Sequence, residues 1–331
     1  MFSQEEKVKL ERGIRGALAI AVACALAAPA VAQTWPAQTV RIISPFTPGG
    51  GTDLVGRLLA QKLIEQIGGS FVVENRPGAA ATIGAAVVAK AQPDGYTLLI
   101  SAPEMSIHPN LRADLPYDPL KDFACISLLT AGQFVLASHP AVPAMTVKQL
   151  IALAKVRPGQ LNYASSGTGA ITHLSGELFQ LMAGVRWTHV PFRGAGAAVI
   201  ALMGGETDFV IASTAAVVGQ VRLGKLRAIA VTGPKRFTEI PDVPTIAESL
   251  PGYEVTGWYG LYAPAGTSAD IVQRLFVESR RALTRPEVKE TLMKTGNEPV
   301  VSSPQEFAVF LRAEIAKWAK VVKSSGLKEI N

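Results

Sequence analysis

The sequence predicts an α/β fold arranged in two lobes, and three observations carry that prediction. Short β-branched runs alternate with segments of helical spacing, two long extended runs interrupt the alternation, and Gly- and Ser-rich turns fall where strands hand over to helices. Alternation of this kind builds parallel sheets flanked by helices.

"TVRIISPF" (39–46) is short and β-branched, and "DLVGRLLAQKLIEQIG" (53–68) carries apolar residues at helical spacing. "SFVVEN" (70–75) reads as a strand, "RPGAAA" as a turn, "TIGAAVVAKA" (82–91) as a helix and "YTLLIS" (96–101) as a third strand. The rhythm returns through the helix "TVKQLIALAKV", the strand "LNYAS", the helix "THLSGELFQLMAG", the strand "WTHVPF", the helix "GAAVIALMGG" and the strand "TDFVIAS". "LRAIAVTG" (226–233) adds one more strand. "FACISLLTAGQFVLAS" (123–138) and "YEVTGWYGLYAPAGT" (253–267) are long extended runs that bracket this second block. Two crossings between lobes would look like that. The expected division is residues 33–127 with 253–331 in lobe 1, and 128–252 in lobe 2. The closing helices, around "DIVQRLFVESRRALT" and "PQEFAVFLRAEIAKWAKVVKSS", are expected to return to the first lobe.

Residues 1–32 read as a signal peptide. Lys7, Lys9, Arg12 and Arg15 form a basic start, diluted by Glu5, Glu6 and Glu11. The run "GALAIAVACALAAPAVA" is too short and alanine-rich for a comfortable membrane span, and it closes on Ala30-Val31-Ala32 before Gln33. An uncleaved anchor and lipidation at Cys24 are the alternatives; Ala21-Val22-Ala23 is a poor lead-in for the latter. Cleavage leaves Cys125 alone, without an internal disulfide partner, inside the apolar "FACISLL". The reading is a periplasmic, soluble mature chain with Cys125 as a structural thiol.

Among 331 residues, 48% are hydrophobic, enough for a large core. The net charge of +6 is spread without a Lys/Arg run, which argues against nucleic acid and fits a small anion only weakly.

Several strand-to-helix junctions offer hydrogen-bond donors. In an open parallel sheet, ligands sit outside the carboxyl ends of the strands, where such junctions lie. "ISPFTPGGGTD" (43–53) puts Gly49, Gly50 and Gly51 directly before a helix start at Thr52 or Asp53. Bare glycine would turn main-chain N–H groups toward an anion; the alternative is a tight turn needing glycine for geometry alone. "YASSGTGAITH" (163–173) adds the hydroxyls of Ser165, Ser166 and Thr168 beside Gly167 and Gly169. "PFRGAG" (191–196) places Arg193 at a strand end, and "ENRPGAAATIG" (74–84) ends a strand at Asn75 and Arg76. No G-x-S-x-G elbow surrounds any serine, and His108, His139, His173 and His189 lack zinc-ligand spacing. Gly49 and Gly51 begin a dinucleotide fingerprint, but Leu54 stands where its third glycine belongs, and no Walker lysine follows either loop. Donors without a base, nucleophile or metal set describe binding; no metal or cofactor is expected, and no enzyme activity.

"PFTPGGGTD", "VVENRPGAAATIGAAVVAKAQPDGYTLL", "LNYASSGTGAITHLSGELF", "HVPFRGAGAAVIALMGGETD", "GKLRAIAVTGPKR" and "PDVPTIAES" closely resemble the extracytoplasmic receptors of tripartite tricarboxylate transporters, the Bug-type solute receptors. The resemblance runs in the same order over nearly the whole mature chain. It implies an α/β fold similar to type II periplasmic binding proteins, with two α/β lobes, a cleft and a two-strand hinge. It also implies a monomer that captures a small organic acid and presents it to a membrane permease. An exported sensor for a signalling partner, or an enzyme using the same cleft, are the alternatives. By position, the resemblance puts Phe46, Thr47, Gly49, Gly50, Gly51 and Asp53 on one side of the cleft. Ser165, Ser166, Thr168, Gly169 and His173 lie opposite, with Arg193, Ser213 and the 101–106 loop, including Ser101 and Glu104, nearby. The family usually carries small and hydroxylic residues in that last loop, so Glu104 is a departure. If Glu104 faces the cleft, it opposes a second ligand carboxylate; the bland alternative is a solvent-facing cap.

The exported form is expected to begin at Gln33. N-terminal sequencing checks this; a start at Met1 or a lipidated Cys24 overturns it.

Overall fold

Three short parallel strands begin the first sheet. β1 (Val40–Ser44) leads through α1 (Gly51–Ile67) to β2 (Phe71–Asn75), and α2 (Thr82–Ala89) leads to β3 (Thr97–Ser101). β1 lies between the other two and runs parallel to both. All of β3 is buried, as expected for a strand covered on both faces by helices. A short helix, α3 (Glu104–Ile107), follows it directly. The computed structural model describes residues 35–79 and 81–325, and residues from Gln38 onward cluster as one compact unit. The signal peptide expected over residues 1–32, with Cys24, lies outside the described residues.

Next comes β4 (Phe123–Ser138), 16 residues long. The second block then runs α4 (Val147–Val156), β5 (Asn162–Ser165), α5 (Ile171–Ala183), β6 (Thr188–Pro191), α6 (Ala195–Met203), β7 (Phe209–Ser213), α7 (Thr214–Arg222) and β8 (Arg227–Val231). β5 pairs in parallel with β6 on one side and β7 on the other. The chain returns along β9 (Thr256–Pro264) and finishes with α8 (Ala269–Leu283), α9 (Pro286–Lys294), β10 (Asn297–Pro299) and α10 (Pro304–Ser325).

β4 belongs to both sheets. Its first part pairs antiparallel with β9, from Phe123 opposite Pro264 to Gln133 opposite Thr256. From Phe134 onward it pairs instead with β7 and β8. The resulting order is β2-β1-β3-β9-β4-β7-β5-β6, with β8 and β10 also on β4. Two α/β lobes are thus joined by two extended strands, with a cleft between them.

Thr232 ties the strands together at the changeover. Its N–H donates to Phe134 O at 3.0 Å, and its carbonyl accepts from Val255 N–H at 2.9 Å. Its hydroxyl accepts from Phe134 N–H at 3.0 Å and donates to Val255 O at 2.7 Å. The residue is fully buried.

The last helix departs from its expected place. Phe307 and Leu311 of α10 join the first lobe's core with Ile43, Leu99 and Tyr262. Trp318, Val321 and Val322, further along, join a second core with Leu174, Phe179 and Tyr253. Burying each such side chain contributes about 1.5–3 kcal/mol, so a helix apolar to its end holds to both lobes. The extended "NEP" of β10 is too short for a strand signal in sequence; it forms because β4 offers Ala131 as the partner of Glu298.

Thr232→Val is expected to leave a buried N–H and a buried carbonyl unpartnered, costing about 2–4 kcal/mol. Thr232→Ser, which keeps the hydroxyl, should lose only methyl burial, about 1 kcal/mol. Urea denaturation of the two variants checks the contrast.

Candidate functional site

The glycine loop is held from behind by its own helix. Gly49 adopts a left-handed backbone (φ 84°) that favours glycine. A side chain at Gly51 would collide with the hydroxyl and ring of Tyr259, which comes from β9. Gly50 is the N-cap of α1 and supplies no side-chain cap. One glycine therefore makes the turn, one admits a ring, and one leaves the helix start bare. Asp53 accepts the Gly49 N–H at 3.0 Å and the Arg57 Nε–H at 3.0 Å. Arg57 donates onward to Asn75 Oδ1 at 3.1 Å, and Asn75 Nδ2 donates to Phe46 O at 3.0 Å. The Asp53 carboxyl is held below its ordinary value of 3.8, first by Arg57 and then by the Gly49 N–H. Asp53, expected as a ligand group, spends its carboxylate on the loop.

The second lobe presents the same kind of end. The N-cap residues of α5, α6 and α7 are Ala170, Gly194 and Ser213, none of which caps its helix with a side chain. By contrast, Thr146 caps α4 and Ser268 caps α8, each accepting a main-chain N–H. The starts of α1, α6 and α7 border a cleft cavity of about 630 Å3, where Gly49, Gly50 and Gly51 meet Ala195, Ser213 and Thr214. Among its lining residues Arg57 is the one Lys or Arg, and it is paired with Asp53 at 2.9 Å.

The hydroxyl loop divides into framework and rim. Ser165 is fully buried, its hydroxyl 2.6 Å from His189 Nε2 and 3.1 Å from the Gly167 N–H it accepts. Gly169 N–H donates to His173 Nδ1 at 3.1 Å, and His173 stacks on His189 at 3.8 Å. Burial drives both imidazoles down, to about 3 for His173 and about 4 for His189, so both are neutral. Ser165, Gly169 and His173 therefore build the loop from inside. Ser166 is half-buried with its hydroxyl 2.7 Å from Thr172, while Thr168 and Arg193 are exposed. None of these lines the cavity; Ile171, at the start of α5, does border the adjoining chamber.

That chamber, about 270 Å3, shares Gly50, Gly51, Phe134, Gly257 and Tyr259 with the larger cavity. Phe46, Thr47 and Glu104 lie on its wall. Glu104 is not a solvent-facing cap: its Oε2 is buried without a hydrogen-bond partner, and burial pushes its carboxyl up to about 7. Ser101 ends β3 just behind it, buried, with an unpartnered hydroxyl.

Sequence reasoning missed the residues that the hinge contributes. Tyr259, Phe134, Gln133 and Asn297 line the cavity but sit in extended segments that carry no turn or loop signal. It also missed the contact of Ser165 with His189, 24 residues apart and brought together on neighbouring parallel strands. Ser165 has no exposed surface, and a histidine held near 4 is a weak base. Cys125 is half-buried and uncrosslinked, and burial lifts its thiol to about 12, which suits a structural role.

A sequence model described as "Tripartite tricarboxylate transporter family receptor" matches residues 55–327. The chain belongs to that family. Protein BugT of Bordetella pertussis is 37% identical over 92% of this chain and 94% of its own. Among solved family-like structures, R. palustris Rpa4515 with adipate superposes with TM-score 0.80 at 37% identity, covering 88% of this chain and 98% of that one. MatC from Rhodopseudomonas palustris with bound malate gives 0.75 at 33% identity, covering 87% and 100%. The receptor fold with two lobes, a cleft and a two-strand hinge is thus the fold of relatives that hold small carboxylates.

Asp53→Asn is expected to loosen the glycine loop at a cost of about 1 kcal/mol at neutral pH, because Arg57 is half exposed. A lowered carboxyl stabilises the fold above its unfolded value and loses that contribution as the pH falls through the folded one. The difference between wild type and Asp53→Asn should therefore hold down to about pH 4 and shrink only below it, as the pH falls toward the lowered carboxyl value of the folded chain. Thermal melts across pH 3–8 read it directly.

Proposed function

We propose that this chain is a periplasmic solute receptor that closes on a small organic acid and delivers it to a membrane permease, without performing chemistry on it. The observation that carries this reading is the set of uncapped helix starts, α1 from one lobe and α6 and α7 from the other, bordering one cavity whose sole lining cation is already neutralised. Main-chain N–H groups and helix dipoles at such ends favour an anion without a charged side chain. The adipate and malate bound in the two relatives support a carboxylate as that anion.

In this reading residues 33–127 with 253–331 form one lobe and 128–252 the other, pivoting on β4 and β9. Phe46, Thr47, Gly49, Gly50 and Gly51 meet the ligand from the first lobe. Closure brings Ser166, Thr168 and Ser213 onto its carboxylate, with Arg193 at the rim. Export by the 1–32 signal, a monomeric state and a tripartite tricarboxylate permease as recipient complete the proposal.

A thermal-shift screen of organic acids, their amides and sugars tests it. An acid at 100-fold its Kd should add about 2.7 kcal/mol, raising Tm by roughly 5–10 °C. Ser166→Ala and Thr168→Ala should each weaken that acid by about one to two decades. Stabilisation by sugars and not by acids removes the anion site.

A further inference from the structure

Glu104 is an acid in a place where no cationic side chain answers its charge; its own main-chain N–H is the one group that favours the ionised form. Its Oε2 is buried and makes no hydrogen bond. None of the residues lining its chamber is Lys, Arg or His, whereas Phe46, Phe134 and Tyr259 are among them. A carboxylate among aromatic rings is the chemistry that receives an ammonium group, through ion pairing and attraction to the ring faces. The chamber opens into the cleft past Gly50 and Gly51, so a ligand whose carboxylate rests on the helix ends can extend its other end toward Glu104.

We infer that Glu104 is the counter-ion for a cationic ammonium at the far end of the ligand, making the preferred ligand an ω-ammonium carboxylate rather than a dicarboxylate. This rests on the cleft being an organic-acid site, as proposed above.

The neighbouring charges fit. Tyr117 and Tyr259 are pushed up mainly by burial, Tyr259 to about 12, and then by the charge of Glu104 itself. His108, further along the same segment, is held neutral near 4 by burial, with Arg112 beyond it. Asp53 and Arg57 neutralise one another behind the glycine loop. On α10, which packs against α3, Glu314 is paired with Lys317. Glu104 is raised by burial, against a smaller lowering from its own main-chain N–H. An arriving ammonium favours its ionised form, so binding near pH 7 releases a proton; an arriving carboxylate favours the protonated form and takes one up.

Calorimetry at pH 7 in two buffers of different ionisation enthalpy reads both affinity and proton count. The probes are 5-aminopentanoate, adipate and pentanoate, which share one carboxylate and a four-carbon spacer and end in ammonium, carboxylate and hydrogen. The amino acid is expected to bind at least about tenfold tighter than the other two, with proton release. Glu104→Gln is expected to bring it level with pentanoate and abolish the release. Adipate binding as tightly or more so with proton uptake would make Glu104 an acid that donates to a second carboxylate, and would overturn the inference alone. So would binding of the acids in an order that Glu104→Gln leaves unchanged. Should Glu104→Gln fail to fold, the wild-type order and proton count still decide. If none of the three probes binds, the inference falls; if the wider acid screen also fails, the receptor reading falls with it.

Discussion

The arrangement depends on one strand serving two sheets. β4 gives its first part to β9 and its second part to β7 and β8, changing partners between Gln133 and Phe134. Because a strand is stiff along its hydrogen-bonded length, the changeover is the natural place for bending, and Thr232 satisfies the backbone groups that a change of partner would orphan. The parallel strands on either side then end at the same cleft. The starts of α1, α6 and α7 border one cavity because the strands before them end there.

Polar groups around the cleft fall into two kinds, and the distinction is physical. Asp53, Asn75, Ser165, His173 and His189 hydrogen-bond to main chain, to Arg57 or to one another. They fix loops in one shape. The groups left open include main-chain N–H at uncapped helix starts, the exposed Thr168 hydroxyl and Gln133 Oε1. A site built this way is rigid before the ligand arrives, which reduces the ordering cost of binding.

Glu104 stands apart from that pattern. The other charged groups lining the two cavities, Asp53 and Arg57, are paired with one another, while this carboxyl is lifted toward neutrality by burial and left with an unused oxygen. A buried acid without a partner is costly to fold. A cationic group on the ligand, as inferred above, would offset that cost at the moment of binding.

Much of this was legible in the sequence. The βα rhythm, the two long extended runs and the glycine loop follow from short-range periodicity and from the conformational demands of single residues, which local sequence encodes. The hinge strands emerged over 123–138 and within 253–267, close to β4 and β9 as observed. What the sequence did not carry is which donors are free. Asp53 looks like a ligand group until its contact with Gly49 and Arg57 is seen, and Ser165 until His189 is found beside it. Tyr259 gives Gly51 its reason from more than 200 residues away. The reach of α10 into both cores and the burial of Glu104 belong to the same class. Residue type and spacing fix what a group is able to do; whether its capacity is already used depends on partners distant in sequence, and only the tertiary structure decides that.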